Sequence, residues 1–196
     1  MFELLAYTAI IASIWIVIGV FTVAKLYPSY SHNKQFCSEL GAAGSATEKL
    51  SPLINNYPLG ILFCAFGWYV INLENAPILV VLVGWLSIVH GIGTWVAGYF
   101  PMDANPYTES PTVTCQVHSW AGLVMLLSLL IAPILIAISD YLSISFRVFS
   151  ACFVCVTCYF CFRLTKAFKQ RTNAGAYQRL AYGVQLIWLS AFSLVI

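Results

Sequence analysis

The chain alternates between long apolar runs and short polar breaks, and the lengths of the runs settle its architecture. A hydrocarbon core ~30 Å thick is crossed by about 20 apolar residues in a helix. Runs of that size lie at about 5–25, 52–73, 77–100, 117–138, 145–164 and 176–196. The first carries no charge between Glu3 and Lys25. It is longer than the core of a secretion signal and lacks a basic start, so it reads as a span that is kept. Ser51-Pro52 and Asn75-Ala76-Pro77 are start signals, a capping residue followed by proline in the first turn. Pro58 and Pro133 fall inside runs, and a kink is expected at Pro58. The pattern predicts an all-α protein, a polytopic transmembrane bundle of six helices forming a single domain over residues 1–196.

Composition agrees. Of 196 residues, 61% are apolar and 8% charged, with a mean hydropathy of +0.86. A soluble domain carries about 25% charged residues. Sixteen charges cannot coat such a surface, so the excess apolar surface faces lipid. The runs are continuous rather than alternating, which excludes an outer-membrane barrel. A net charge of +2 without a broad basic face argues against nucleic acid as a partner.

Charge placement predicts direction. Lys25, Lys34, Lys49, Arg163, Lys166, Lys169, Arg171 and Arg179 fall on one side of a six-span chain, and Arg147 on the other. By the positive-inside rule, loops 27–50, 101–116 and 165–175 are cytoplasmic in an inner or plasma membrane, and both termini lie outside. Four of the seven acidic residues, Glu39, Glu48, Asp103 and Glu109, share that side. The basic loop at 165–175 equally suits anionic lipid or a specific partner.

Cys152, Cys155, Cys158 and Cys161 recur every third residue. On a helix each three-residue step drifts by about 60°, so the four thiols spread across half the circumference and cannot converge on one cluster without unwinding the helix. They are expected to be small packing residues. Cys37 and Cys115 share the cytoplasmic side, where they stay reduced; a bridge between them would contradict the topology. In the third helix His90, Gly93, Thr94, Ala97 and Gly98 form one stripe. Small residues there admit a close neighbour. His90 is either a neutral histidine bonded across a helix pair or a functional group at depth. A haem held by His90 and His118 is disfavoured, because His118 lies about ten residues shallower. No cofactor is expected.

The chemistry concentrates in the two long loops and the helix ends beside them. Tyr30-Ser31-His32, Ser38-Glu39-Leu40-Gly41, Phe100-Pro101-Met102-Asp103 and Gln116-Val117-His118-Ser119 all fall on one face of the membrane. Asp103 follows the third helix and His118 opens the fourth. A histidine beside two carboxylates suits acid–base work, with the carboxylate fixing the imidazole tautomer. On that reading Glu39, Asp103 and His118 are catalytic candidates, and Ser38, His32 and His90 candidate ligand-binding residues. A weaker alternative places a divalent metal on His32, Glu39, Asp103 and His118. A third gives the same residues only the task of capping helix ends and tying loops together. No catalytic motif of defined spacing decides among them.

These segments resemble a widespread microbial family of integral membrane proteins, catalogued as domain of unknown function 998. The resemblance extends along most of the chain, to Arg179 and Trp188 in the last helix. It implies a six-helix membrane protein with Ser38, Glu39, Asp103 and His118 at the family's motif positions. Where the family pattern carries cysteines beside Pro-x-Asp, this chain has Met102 and Ala104. It implies no activity.

Three functions stay open. One is a membrane-embedded enzyme or binding protein for a lipid-like or amphipathic small molecule, with a polar Glu/Asp/His site at the cytoplasmic interface. Another is a non-catalytic accessory subunit that partners other proteins of a membrane complex. The third is a small proton-linked transporter with His90 and Gln185 along its path. Membrane lipids are partners in each.

Overall fold

Lipid offers backbone N–H and C=O groups no partner, so each apolar run closes its hydrogen bonds internally as a helix. The computed structural model describes residues 2–196. Among them the chain forms six α-helices: α1 Thr8–Ala24, α2 Tyr57–Ile71, α3 Ile78–Tyr99, α4 Val113–Ile138, α5 Ile144–Lys169 and α6 Ala174–Ser193. A 3₁₀ turn, Phe2–Tyr7, leads into α1, and a second, Cys37–Gly41, lies in the first long loop. The chain is all-helical, and five of its helices are long and apolar enough to cross a membrane. The sixth, α6, is diluted by Gln178, Arg179 and Gln185, all of which face inward.

The ends differ from the sequence pattern where local capping overrides hydropathy. α4 begins at Val113 rather than 117, because the Thr112 hydroxyl accepts from the Cys115 N–H at 3.2 Å. His118 therefore sits in the second turn and does not open the helix. α5 continues past 164 to Lys169, and its last carbonyls are closed by Arg171 N–H to Phe168 and Thr172 N–H to Ala167. That pattern is a Schellman cap with Arg171 left-handed at φ 52°. Only residues 170–173 then link α5 to α6. The irregularity expected at Pro58 falls one turn earlier, in a wide π turn at Pro52–Asn56.

Sequence neighbours pack side by side from α1 to α6, and α1 closes the ring against α6. The tightest pair is α2–α3, brought together by glycines at heptad spacing. A Cβ on Gly67 would lie 2.5 Å from the Gly84 carbonyl oxygen, and one on Gly91 2.7 Å from that of Gly60. The buried core, including Phe63, Phe66, Leu129, Trp188, Leu189 and Phe192, fills the half of the bundle away from the long loops. The other half is less completely filled.

The cysteine expectation is corrected. Cys152, Cys155 and Cys158 point outward on α5 and pack against nothing in the core, and Cys161 is half-buried. An amphipathic helix in lipid has no reason to hide a thiol, since lipid is as apolar as the interior. All seven cysteines are free, Cys37 and Cys115 included.

Candidate functional site

All six helices leave a half-open cleft of about 540 Å³ at the long-loop end of the bundle. Ligand pockets fall at roughly 300–1,000 Å³. Its walls come from the second half of α1 (Ile16, Val17), the start of α2, the end of α3, the first turns of α4, the end of α5 and the first half of α6. Most of the lining is apolar. Val17 and Phe21 of α1 and Gly122 of α4 are exposed as well as lining it, so the cleft reaches the bundle's lipid-facing side. Gly122 and Gly183 line it with open space where a side chain would stand.

The polar groups converge near the loops. On α6, Gln178, Tyr182 and Gln185 are spaced i, i+4, i+7 and share one face, with Arg179 beside them. The Gln178 Oε1 accepts from the Cys37 N–H at 2.8 Å, which pins the Cys37–Gly41 turn over the cleft and brings Ser38 into its wall. Arg179 reaches the same loop. It donates to the carbonyls of His32, Gln35 (2.8 Å) and Gly175 (2.9 Å) and to the Tyr30 hydroxyl (2.6 Å). Its Nε is buried without an acceptor. Burial pushes the Tyr30 phenol well above its ordinary range despite the nearby guanidinium. Burial likewise pushes the Cys37 thiol up, so it stays protonated.

His118 lines the cleft with its tautomer set by the backbone. Its Nδ1 lies 2.9 Å from both the Ala97 and Phe100 carbonyl oxygens. Carbonyls only accept, so Nδ1 carries the proton and donates to both, satisfying orphan carbonyls at the end of α3. In the neutral ring Nε2 is then a lone pair. Gln185 is 2% exposed. Its Nε2 donates to the Leu126 carbonyl at 3.0 Å, and its Oε1 is buried without a donor. The Asn55 Oδ1 is also unpartnered, pressed against Gly19 of α1.

The other candidates lie elsewhere. Glu39 is buried at 7% exposure. It accepts from the Phe36 N–H at 2.7 Å and the Gln35 amide at 3.2 Å, closing its own turn. Asp103 stays at the surface, accepting from the Thr112 N–H at 2.9 Å and hydroxyl at 2.6 Å. Those two bonds hold its carboxyl below the usual carboxylate range. Neither carboxylate lines the cleft, and neither fixes the tautomer of His118. His32 turns its ring against Phe21 and Tyr30; desolvation, reinforced by the Arg179 charge, holds its imidazole below the ordinary value. Among the described residues no three His, Cys, Asp or Glu side chains converge as a metal-ligand set, so the metal alternative has no geometry behind it.

His90 is fully buried behind the cleft. Its Nδ1 meets the Met125 carbonyl at 3.0 Å and the Ser128 hydroxyl at 3.2 Å, and its Nε2 meets the Tyr182 hydroxyl at 2.9 Å. This is the histidine bonded across helices, held behind Tyr182 rather than in the cleft wall. The motif reasoning therefore brings His118 and Ser38 to the cleft and leaves Glu39, Asp103, His32 and His90 outside its wall. It missed Asn55, Gln178, Arg179 and Tyr182 as one site. The polar spacing on α6 was the signal available for three of them.

The chain belongs to the family described as Protein of unknown function (DUF998), whose model matches residues 10–195. No curated protein and no solved structure matches it.

Proposed function

We propose that the protein binds an amphipathic small molecule of lipid-like build in this cleft, its apolar part along Val17, Leu126, Leu164 and Leu186 and its polar part near Ser38, Gln178, Arg179 and His118. The supporting observation is the pairing of apolar walls with an unpartnered buried amide oxygen, the Gln185 Oε1, and a guanidinium whose partners are all neutral. Buried polar atoms without a partner are costly unless something pairs with them. The exposed wall residues give a route of entry from the bilayer. The packed half of the bundle favours a binding site over a through-path, which weighs against the transporter.

The basic residues Lys34 and Lys49 of loop 27–50 and Lys166, Lys169 and Arg171 of segment 165–175 would put this end of the bundle at the cytoplasmic interface and both termini outside. The catalytic step the cleft suits best is proton transfer at the His118 Nε2, because its Nδ1 proton is held by the Ala97 and Phe100 carbonyls. The test uses the reconstituted protein and a single-chain amphiphile carrying a photoreactive diazirine. Adducts on α1, α4 and α6 at cleft positions, lost in Gly122→Leu and Gly183→Leu, are expected. Adducts spread evenly over the outer helix faces, unchanged by either substitution, would overturn the proposal.

A further inference from the structure

We propose that the cleft's ligand carries an anionic headgroup, a phosphate or carboxylate, set against Arg179, and a hydroxyl or amide donor deeper along the same molecule, set against Gln185. This rests on the cleft reading above and names the class of molecule it selects. Arg179 is the one charged residue in the lining. Its four bonds, from Nη1 and Nη2, go to three carbonyls and a phenol, all of them neutral, and leave both its charge uncompensated and its Nε–H without an acceptor. Glu39, buried in the same loop, turns both oxygens to Phe36 and Gln35 instead. A cation drawn out of water without a counter-charge is expensive. An oxyanion at this end of the cleft supplies both the missing charge and an acceptor for the buried Nε.

Gln185 selects the other end. Donation of its Nε2 to Leu126 fixes the amide, so the group without a partner is an acceptor and calls for a donor. It lies six residues beyond Arg179 on α6, about 9 Å along the axis. Both side chains are long enough to close part of that separation, so a molecule with an anion at one end and a hydroxyl or amide N–H between it and its chain satisfies both positions. A zwitterionic headgroup would bring an ammonium toward the guanidinium, and a neutral one would leave the charge bare.

The experiment measures equilibrium binding by native mass spectrometry on the full chain in neutral maltoside micelles. The probes share one oleoyl chain: lysophosphatidic acid, lysophosphatidylcholine and monooleoylglycerol, with inorganic phosphate as the chainless anion. Lysophosphatidic acid is expected to bind at least tenfold more tightly than the other two. Arg179→Gln should erase that preference while Arg179→Lys retains part of it, and Gln185→Leu should weaken all three chain-bearing probes alike. Because Arg179 also anchors a loop, the preference of the unaltered protein decides the matter if Arg179→Gln misfolds. Equal binding of the three oleoyl probes would overturn the anionic headgroup and leave the cleft reading standing. Binding of none would overturn both. Inorganic phosphate binding as tightly as lysophosphatidic acid would assign the site to a free anion and overturn the lipid-like source.

Discussion

The α2–α3 seam allows a substitution test with an internal control, because glycines of opposite surroundings lie in one molecule. A Cβ on Gly67 would meet the Gly84 carbonyl oxygen at 2.5 Å, the Ile88 side chain at 2.7 Å and the Ile88 backbone nitrogen at 2.9 Å. These are roughly 1 Å inside ordinary van der Waals separation. Two of the three obstacles are backbone, so no rotamer change relieves them and the helices must part. Overpacking of this kind costs about 1–3 kcal/mol, and the backbone clash puts Gly67→Ala at the upper end. Alanine returns up to about 1 kcal/mol of helix propensity. The net expectation is about 2 kcal/mol of destabilisation. Gly183 meets nothing within 4 Å, so Gly183→Ala keeps only the propensity gain. For a chain of this size 1 kcal/mol moves a melting midpoint by about 2–4 °C. Thermal unfolding in one mild detergent should therefore place Gly67→Ala several degrees below the native protein and Gly183→Ala at or above it. Equal shifts for the two would refute the seam.

Four further outcomes follow from particular contacts. Ser150→Ala strands the fully buried Trp188 indole N–H, which donates to the Ser150 hydroxyl at 2.9 Å, and should cost about 1–3 kcal/mol in the same unfolding assay. Thr112→Ala removes the cap of α4 and should cost about 0.5–2 kcal/mol. The Asp103–Thr112 bonds lower the carboxyl's folded value, so their contribution is complete above the unfolded carboxylate range near ~3.9 and is lost as pH falls through the lowered value. The midpoint difference between the native protein and Asp103→Asn should hold at neutral pH and shrink only in strong acid; a difference independent of pH contradicts that assignment. His118→Asn keeps a donor for the Ala97 or Phe100 carbonyl and removes the Nε2 lone pair. It should melt close to the native protein while losing ligand affinity or turnover, and unchanged binding and turnover would remove His118 from the site.

The helices were legible because lipid leaves one way to satisfy a backbone, and run length reports it directly. Their ends were less so. Thr112 and the left-handed Arg171 act through local capping hydrogen bonds that a hydropathy pattern does not register. The site was half legible for a related reason. Charge drew the eye to Glu39 and Asp103, yet a loop carboxylate serves a backbone N–H as readily as a substrate, and both do so here. His118 was legible by position, though its partners are carbonyls rather than carboxylates. Arg179 stood out only within the family resemblance. Its role depends on which groups surround it, and the long loop that surrounds it is about 150 residues away in sequence. Polar residues at helical spacing on α6 were the more informative pattern, since an inward polar face in lipid has to be matched by something.

The cleft reading is tested most directly by what the protein carries out of its own membrane. Native mass spectrometry of the full chain, extracted in mild neutral detergent, should show one tightly held amphiphile per chain. The same preparation of Gly183→Leu, folded to the same degree, should show it gone. A native protein with no retained molecule, or equal retention in Gly183→Leu, would contradict the account.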